Sequence, residues 1–122
     1  MPERRPVKKS KPAVLVVDDH PIARATAVAL FEDLGFEVFD AYNGAAALEL
    51  VRENARIGVL FVDVRMPGMT GPELAESALK IRPKLKLVFT SGYVDEAQLP
   101  EAAAFVPKPW TTDMIAQAVS EE

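Results

Sequence analysis

Five polar residues in this sequence carry side chains that could do chemistry, and each comes at or just after the end of a short apolar run. They are two adjacent acids, Asp18 and Asp19, a third acid, Asp63, a hydroxyl, Ser91, and an amine, Lys108. A charge that is buried without a partner is strongly destabilising. These groups should therefore lie at the border of the core, close to groups that neutralise them.

Three carboxylates in one crevice would repel one another, so they would take up a proton or bind a cation. Mg²⁺ suits them because it prefers oxygen ligands and can combine one or two carboxylates with waters and a phosphate oxygen. Lys108 could pair with Asp63 or with a phosphoryl oxygen, and Ser91 offers a hydroxyl donor. A carboxylate in such surroundings is equipped to attack a phosphorus atom and form an aspartyl phosphate.

The apolar runs before these residues are typical of strands that are buried on both faces. The segments between them repeat apolar residues at helical spacing, as in Ala23, Ala27, Leu30 and Leu34. The pattern predicts strands at residues 13–17, 36–40, 58–63, 85–90 and 105–106. It predicts helices at residues 21–34, 43–54, 70–82 and 95–104, and a last helix that starts near residue 111 or 112.

Five strands that alternate with helices predict an α/β fold, a parallel sheet with helices on both faces. In such sheets ligands bind outside the carboxyl ends of the strands. All five polar residues would project from that edge, which makes it the expected functional site. The helix at residues 95–104 is the weakest prediction because it is short and contains Pro100.

The chain of 122 residues has the size of one domain. It has no cysteine, and no apolar run reaches the roughly 20 residues of a membrane span, so we expect no disulfide, no membrane insertion and a cytoplasmic protein. Five basic residues and one glutamate give residues 1–12 a charge of +4, which leaves −8 for residues 13–122 out of the total of −4. The acidic body argues against direct nucleic-acid binding, and the proline-containing basic arm 1–12 is predicted to be disordered.

Each of the five residues also has a simpler explanation. The acids could cap a helix or open a turn, the serine could belong to a turn, and the lysine could be exposed. Their coincidence at strand ends favours a shared site. His20, the only histidine, is expected at the surface near a helix start rather than as a metal ligand, and Trp110 is expected as a packing anchor. No glycine-rich fingerprint follows the first strand, which disfavours a dinucleotide site.

Four segments of the sequence resemble the receiver domains of two-component response regulators. They are Val16-Val17-Asp18-Asp19, Val62-Asp63 with Met66-Pro67-Gly68 and Gly71, Ser91-Gly92, and Lys108-Pro109. No segment is specific alone, but all four occur in order and at predicted strand ends, within about residues 13–119. The resemblance implies a flavodoxin-like receiver fold with strand order 2-1-3-4-5 and a receiver domain over residues 13–122.

The resemblance implies that Asp63 accepts a phosphoryl group from a phosphohistidine of a sensor histidine kinase or a histidine phosphotransfer protein. Asp19 would bind Mg²⁺ directly and Asp18 mostly through water. Asp63 itself and the backbone carbonyl of Arg65 would be further metal ligands. Lys108 would be the cation that assists the transfer.

The resemblance also implies a conformational switch. The hydroxyl of Ser91 would move toward the phosphoryl group, and the rotamer of Phe105 would follow that movement. Arg65 and Tyr93 lie two residues past Asp63 and Ser91, where the family controls access of water. We hypothesise that Tyr93 shields the phosphoryl group and slows its hydrolysis. The family's output surface is the fourth helix, fifth strand and fifth helix, and the fourth helix is poorly encoded here.

The leading hypothesis is a stand-alone receiver that signals by altered binding to an unknown output protein. It would not be an enzyme beyond its self-catalysed phosphorylation and dephosphorylation. A receiver within a hybrid kinase is an alternative, and the sequence leaves a phosphorylation-dependent dimer open. A phosphatase of the haloacid-dehalogenase type would use similar groups, but it needs a second aspartate where Arg65 stands. A phosphorylation-independent scaffold is disfavoured because every acid, the hydroxyl and the lysine are present.

Overall fold

The computed structural model describes residues 11–92 and 103–120. The strands are β1 (Ala13–Val17), β2 (Val38–Ala41), β3 (Ile57–Asp63), β4 (Lys86–Ser91) and β5 (Ala104–Pro107). The helices are α1 (Pro21–Asp33), α2 (Gly44–Glu53), α3 (Gly71–Ile81) and α4 (Thr112–Ser120). The helix predicted at residues 95–104 falls mostly outside the described residues. Its expected last residue, Ala104, is instead the first residue of β5, where it pairs with Val88 of β4.

All five strands are parallel and lie in the order β2-β1-β3-β4-β5, which confirms the predicted fold class and strand order. Strand β2 begins two residues later than predicted. Gly35 adopts a φ of 91° after α1, and the N–H of Phe36 then donates to the Phe31 carbonyl oxygen at 3.1 Å. Phe36 therefore closes the end of the helix instead of opening the strand.

The sheet separates two hydrophobic cores. Alternate residues of the central strands face opposite sides: Leu60 and Val62 belong to one core, whereas Val59 and Phe61 belong to the other. Helices α2 and α3 cover the first core, and α1 and α4 cover the second. Because both faces are covered, the sheet residues can be apolar throughout, and the polar groups are confined to the strand ends.

The buried face of α1 was only partly predicted. Ala27 is fully buried, but Ala23, Leu30 and Leu34 remain partly exposed. Phe31 is the large buried residue of this helix, with its ring centroid 5.1 Å from that of Phe61 in an edge-to-face contact. The wide aromatic ring of Phe31 fills the space over β3. The buried face of α1 is therefore centred one residue later than predicted, on Phe31 instead of Leu30.

The helix starts follow the capping residues in the sequence. Asn43 Oδ1 accepts a hydrogen bond from the N–H of Ala46 at 2.8 Å at the start of α2. Thr70 and Glu73 form a reciprocal capping box at the start of α3. Thr111 Oγ1 accepts from a backbone N–H in the first turn of α4 at 3.2 Å. These contacts confirm the predicted positions of the three helix starts.

Arg82 joins the end of α3 to the end of α2 and the start of β3. Its guanidinium group donates to the carbonyl oxygens of Val51 at 2.8 Å, Asn54 at 3.2 Å and Ile57 at 3.0 Å. Two of these carbonyls lie at the C-terminal end of α2, where a positive charge also favours the helix dipole. One side chain therefore satisfies three backbone acceptors at the edge opposite the candidate site.

We predict that Arg82→Met lowers the free energy of unfolding by about 1–3 kcal/mol, because partly buried carbonyls lose their donors. The measurement is the urea midpoint of the variant. Arg52→Met is the matched control, since Arg52 is an exposed basic residue in the last turn of α2. Equal midpoints for the two variants would contradict this account of Arg82.

Candidate functional site

Three of the predicted polar residues meet at the carboxyl edge of the sheet. Asp18 directly follows β1, Asp63 ends β3 and Lys108 directly follows β5. Lys108 Nζ lies 3.0 Å from Asp63 Oδ2 and 3.2 Å from Asp18 Oδ2. Asp18 and Asp63 are only 2% and 4% exposed. The ammonium group thus pairs with two acids that are almost completely removed from solvent.

The surroundings of Lys108 stabilise its charged form. Burial alone would lower the pKa of Lys108, but the hydrogen bond to Asp63 and the charges of Asp63 and Asp18 outweigh burial and raise the pKa above its ordinary value. The backbone N–H of Lys108 also donates to the Ser91 carbonyl oxygen at 3.0 Å. This bond fixes the chain after β5 against the end of β4, and it aims the ammonium group at the acids.

The loop after Asp63 folds back tightly on the acid. The N–H of Arg65 donates to Asp63 Oδ1 at 3.1 Å, so both carboxylate oxygens of Asp63 accept hydrogen bonds. Gly68 adopts a φ of 80°, which favours glycine. At Gly71 a Cβ atom would overlap the Asp63 carbonyl oxygen, and its N–H donates to the Val64 carbonyl at 3.0 Å. The glycines of this loop therefore permit the close approach of α3 to the acid.

Four side chains that could bind a metal ion lie together around the end of β3. Asp18, Asp19, His20 and Asp63 each offer one ligand atom, and these atoms lie within 4.8 Å of one another. Asp19 Oδ1 is shielded from solvent and accepts no hydrogen bond, and the equally shielded Asp18 Oδ2 is paired with Lys108 Nζ at 3.2 Å. Among residues 11–92 and 103–120, three carboxylates face one ammonium group here, so the cluster has a deficit of positive charge. Carboxylate oxygens in such a cluster are suited to a hard divalent cation.

His20 is an exposed residue at the N-cap of α1, as predicted. Its ring, however, lies beside the acids, with Nδ1 3.3 Å from Asp18 Oδ1 and 3.4 Å from Asp19 Oδ1. Sequence reasoning missed this contact. The signal was the position of the histidine directly after two adjacent acids.

Arg24 is a further residue that sequence reasoning missed. From the second turn of α1, its Nη1 donates to the Asp18 carbonyl oxygen at 2.9 Å, and its Nε donates to Asp40 Oδ2 at 3.0 Å. The guanidinium group thereby joins the loop after β1 to the end of β2. It holds the backbone of the acidic pair in place without contacting the acid side chains.

Two neighbouring hydroxyl groups end β4, and both residues are 1% exposed. Thr90 pairs in register with Asp63, so Ser91 lies one position past the acid on the adjacent strand. Thr90 Oγ1 accepts from Trp110 Nε1 at 2.6 Å. The Trp110 ring centroid lies 5.4 Å from that of Phe61, which confirms Trp110 as a packing anchor.

The remaining predicted site residues lie around this centre. Phe105 is a half-buried residue of β5 that packs against the core beneath α2 and α3. The side chain of Arg65 is exposed in the loop after Asp63. Tyr93, for which we hypothesised a shielding role, lies outside the described residues. The roles of these residues in a switch stay predictions.

This combination defines a class: a doubly wound α/β domain with an acid and lysine centre at the carboxyl edge of its parallel sheet. The family model of the response regulator receiver domain matches residues 14–120, and the chain belongs to this family.

Known relatives agree with this assignment. The chain is 35% identical over 114 residues to the sensor kinase CckA of Brucella abortus, which covers 88% of this chain but only 12% of that kinase. It is 37% identical over 94 residues to the response regulator receiver protein CpdR of Brucella abortus, with 77% of both chains covered. The receiver domain of a hybrid histidine kinase CckA superposes with a TM-score of 0.77 at 33% identity, and 88% of this chain and 95% of that chain are covered.

Receiver domains are phosphoacceptor signalling domains of two-component systems, and they receive phosphoryl groups from histidine kinases or phosphotransfer proteins. The predicted family and general function are therefore confirmed. The haloacid-dehalogenase alternative is not favoured. Among the helices at residues 11–92 and 103–120, none is long and apolar enough to cross a membrane.

We predict that Lys108→Met lowers the free energy of unfolding by about 1–3 kcal/mol in the presence of a metal chelator, because two buried carboxylates lose their cation. Because folding raises the pKa of Lys108, this contribution is complete below the ordinary lysine pKa of about 10.4 and is lost as the pH rises through the raised value.

Urea denaturation at a series of pH values tests both parts of this prediction. The difference between wild type and variant should stay constant from neutral pH to about pH 10 and should narrow above it. Lys84→Met serves as the control, because Lys84 is exposed and precedes β4 at the opposite edge of the sheet. A variant as stable as wild type at neutral pH would show that the ion pairs contribute nothing.

Proposed function

We propose that Asp63 is the phosphoacceptor of this domain, that the transfer requires Mg²⁺, and that phosphorylation alters the binding of an output protein. The observation that supports this most strongly is the contact of Lys108 Nζ with Asp63 Oδ2 at 3.0 Å, beside the carboxylates of Asp18 and Asp19. A carboxylate in this position has the Lys108 ammonium group beside it, and the neighbouring acids could hold a metal ion that supplies further positive charge.

In the proposed reaction an oxygen of Asp63 attacks the phosphorus atom of a phosphohistidine. The new O–P bond forms as the P–N bond breaks, and the imidazole leaves with the electron pair and takes up a proton. The ammonium group of Lys108 neutralises the acid before the transfer and can then pair with a phosphoryl oxygen. The N–H of Arg65 holds the other carboxylate oxygen at 3.1 Å, which keeps the nucleophile in one orientation.

The acids fit Mg²⁺ because they bring three carboxylates within reach of one ion, and Asp19 Oδ1 among them is shielded from solvent and accepts no hydrogen bond. Asp18, Asp19, Asp63 and the backbone carbonyl of Arg65 would hold the ion. When bound, Mg²⁺ would supply the positive charge that stabilises the equatorial phosphoryl oxygens. The bound ion would also offset the mutual repulsion of the three acids.

The proposed partners follow from the family. The donor would be a sensor histidine kinase or a histidine phosphotransfer protein, and the reader would be an output protein in the cytoplasm or a second phosphorylated copy. In the proposed switch the Ser91 hydroxyl moves toward the phosphoryl group and Phe105 changes its rotamer. Ser91 ends β4 and pairs with Pro107 of β5, so a shift of its backbone would be felt on the strand that carries Phe105.

Asp63→Asn should abolish phosphorylation by acetyl phosphate, because an amide oxygen is a poor nucleophile and forms no stable phosphoryl ester. Wild type should gain one phosphoryl group in Mg²⁺ and none in excess chelator, as measured by intact-mass spectrometry. Asp33→Asn is the matched control, since Asp33 is an exposed acid at the end of α1. A phosphoryl group on the Asp63→Asn protein would show that another residue is the acceptor.

Ser91→Ala should slow the same reaction by roughly tenfold or more, because one donor to the charged oxygens is lost in the transition state. Ser91→Thr keeps the hydroxyl and should recover most of the rate. Thr90→Val is the control, because it removes the neighbouring buried hydroxyl, which is bound to Trp110. A larger loss of rate in Thr90→Val than in Ser91→Ala would show that Thr90, and not Ser91, donates to the charged oxygens. The measurement is the rate of phosphoryl incorporation at fixed donor concentration.

A further inference from the structure

Arg24 binds the backbone of the acidic pair at the peptide group between the two acids. Its Nη1 donates to the Asp18 carbonyl oxygen at 2.9 Å. This carbonyl belongs to the peptide that joins Asp18 to Asp19, and a trans peptide is planar, with its C=O and N–H pointing in opposite directions. Holding the oxygen therefore restricts the whole peptide plane, and with it the directions in which the two acid side chains leave the backbone.

The same short turn is held on its other sides by backbone groups. The N–H of Asp18 donates to the Ala41 carbonyl oxygen of β2 at 3.2 Å, and the N–H of His20 donates to Asp18 Oδ1 at 2.9 Å. The backbone N–H of Arg24 donates to the His20 carbonyl oxygen at 2.9 Å. The guanidinium group adds the bond to the peptide between the acids, so the turn is fixed from β2 and from α1 together.

Asp40 sets the orientation of the guanidinium group. Arg24 Nε donates to Asp40 Oδ2 at 3.0 Å, and Asp40 pairs in register with Val16, two residues before Asp18. Because the donors of a guanidinium form a rigid planar fork, fixing Nε also directs Nη1. The Asp40 side chain is 51% exposed, and ion pairs as open as this contribute little to stability. The geometry that the pair imposes is therefore its larger effect.

We infer that Arg24, oriented by Asp40, is a positioning residue that sets the affinity of the acidic pair for Mg²⁺. This inference rests on the proposed metal site and adds a residue that acts on it through the backbone. Mg²⁺ requires a nearly ideal octahedral arrangement of its ligands. A rotation of the peptide between Asp18 and Asp19 would displace the carboxylates from that arrangement. Residues that hold metal ligands in place typically change metal affinity by about 10–100-fold when they are replaced.

The charge of Arg24 and its hydrogen bonds act on Mg²⁺ binding in opposite directions. A guanidinium group close to the acids repels a second cation, so loss of its charge alone would strengthen Mg²⁺ binding. Loss of its bond to the Asp18 carbonyl frees the peptide and weakens Mg²⁺ binding. The sign of the change in a variant therefore separates a positioning role from an electrostatic one.

Isothermal titration of the full chain with Mg²⁺, in the absence of a phosphodonor, tests the inference. Arg24→Met should raise the dissociation constant roughly tenfold. Arg24→Lys keeps the charge but lacks the fork that reaches both acceptors, so it should weaken binding as well, by a smaller factor. Asp40→Ala should weaken binding more in the wild-type background than in Arg24→Met, because the two side chains act as one unit.

The matched control is Arg52→Met, which removes an exposed arginine from the last turn of α2 and should leave the Mg²⁺ affinity unchanged. The Mg²⁺ dependence of phosphorylation by acetyl phosphate is a second measurement. Arg24→Met should need more Mg²⁺ to reach half of its maximal rate, and it should reach the wild-type rate when Mg²⁺ is saturating. A variant that was only partly folded would lose maximal rate instead, and its urea midpoint would identify it.

Mg²⁺ binding by Arg24→Met that is as tight as in wild type, or tighter, would overturn the inference. So would a loss of maximal rate in a folded Arg24→Met protein without a change in its Mg²⁺ dependence. Neither result touches the proposed metal site, which predicts that Asp19→Asn weakens Mg²⁺ binding. Failure of wild type to bind Mg²⁺ would contradict that proposal separately.

Discussion

The ammonium group of Lys108 is the interaction on which the carboxyl edge of this sheet depends. It comes from the end of β5, an edge strand of four residues, and it reaches acids on β3 and directly after β1. Its partners are 45 and 90 positions away in the sequence, so the contact exists only when the whole sheet has formed. Without it, two nearly buried carboxylates would face each other with no cation between them.

The Lys108 ammonium group cannot neutralise three acids. The resulting excess of negative charge is the main chemical property of the site. The described residues leave Asp19 Oδ1 shielded without a hydrogen bond and give the buried Asp18 Oδ2 only Lys108, which it shares with Asp63. A protein under selection for stability alone would replace one of these acids, since like charges in a low dielectric repel. Their presence in a well-packed domain is a mark of a binding function, because functional sites commonly keep strain that the fold must offset.

The sequence predicted the fold and the centre of the site for one physical reason. Parallel strands align their carboxyl ends, so residues that follow apolar runs meet even when they are far apart in the chain. Asp63 and Lys108 were predictable on that basis. Arg24, His20 and the bond between Thr90 and Trp110 were not, because they depend on loop conformation and rotamers rather than on periodicity. The face of α1 was only partly predicted for a similar reason, since the shape of the Phe31 ring outweighed the spacing of smaller residues.

The position of Asp63 places one charged group in contact with several elements of the domain. Strand β3 lies at the centre of the sheet, and its alternate residues enter both hydrophobic cores. At its end, Asp63 contacts Lys108 from β5 and pairs in register with Thr90, whose hydroxyl holds Trp110 against Phe61. Close-packed protein interiors do not deform smoothly. When one group is displaced, they shift between discrete arrangements. We propose that a phosphoryl group at Asp63 draws Lys108 away from the carboxylate and that β4 and β5, which lie on the same side of β3, respond first.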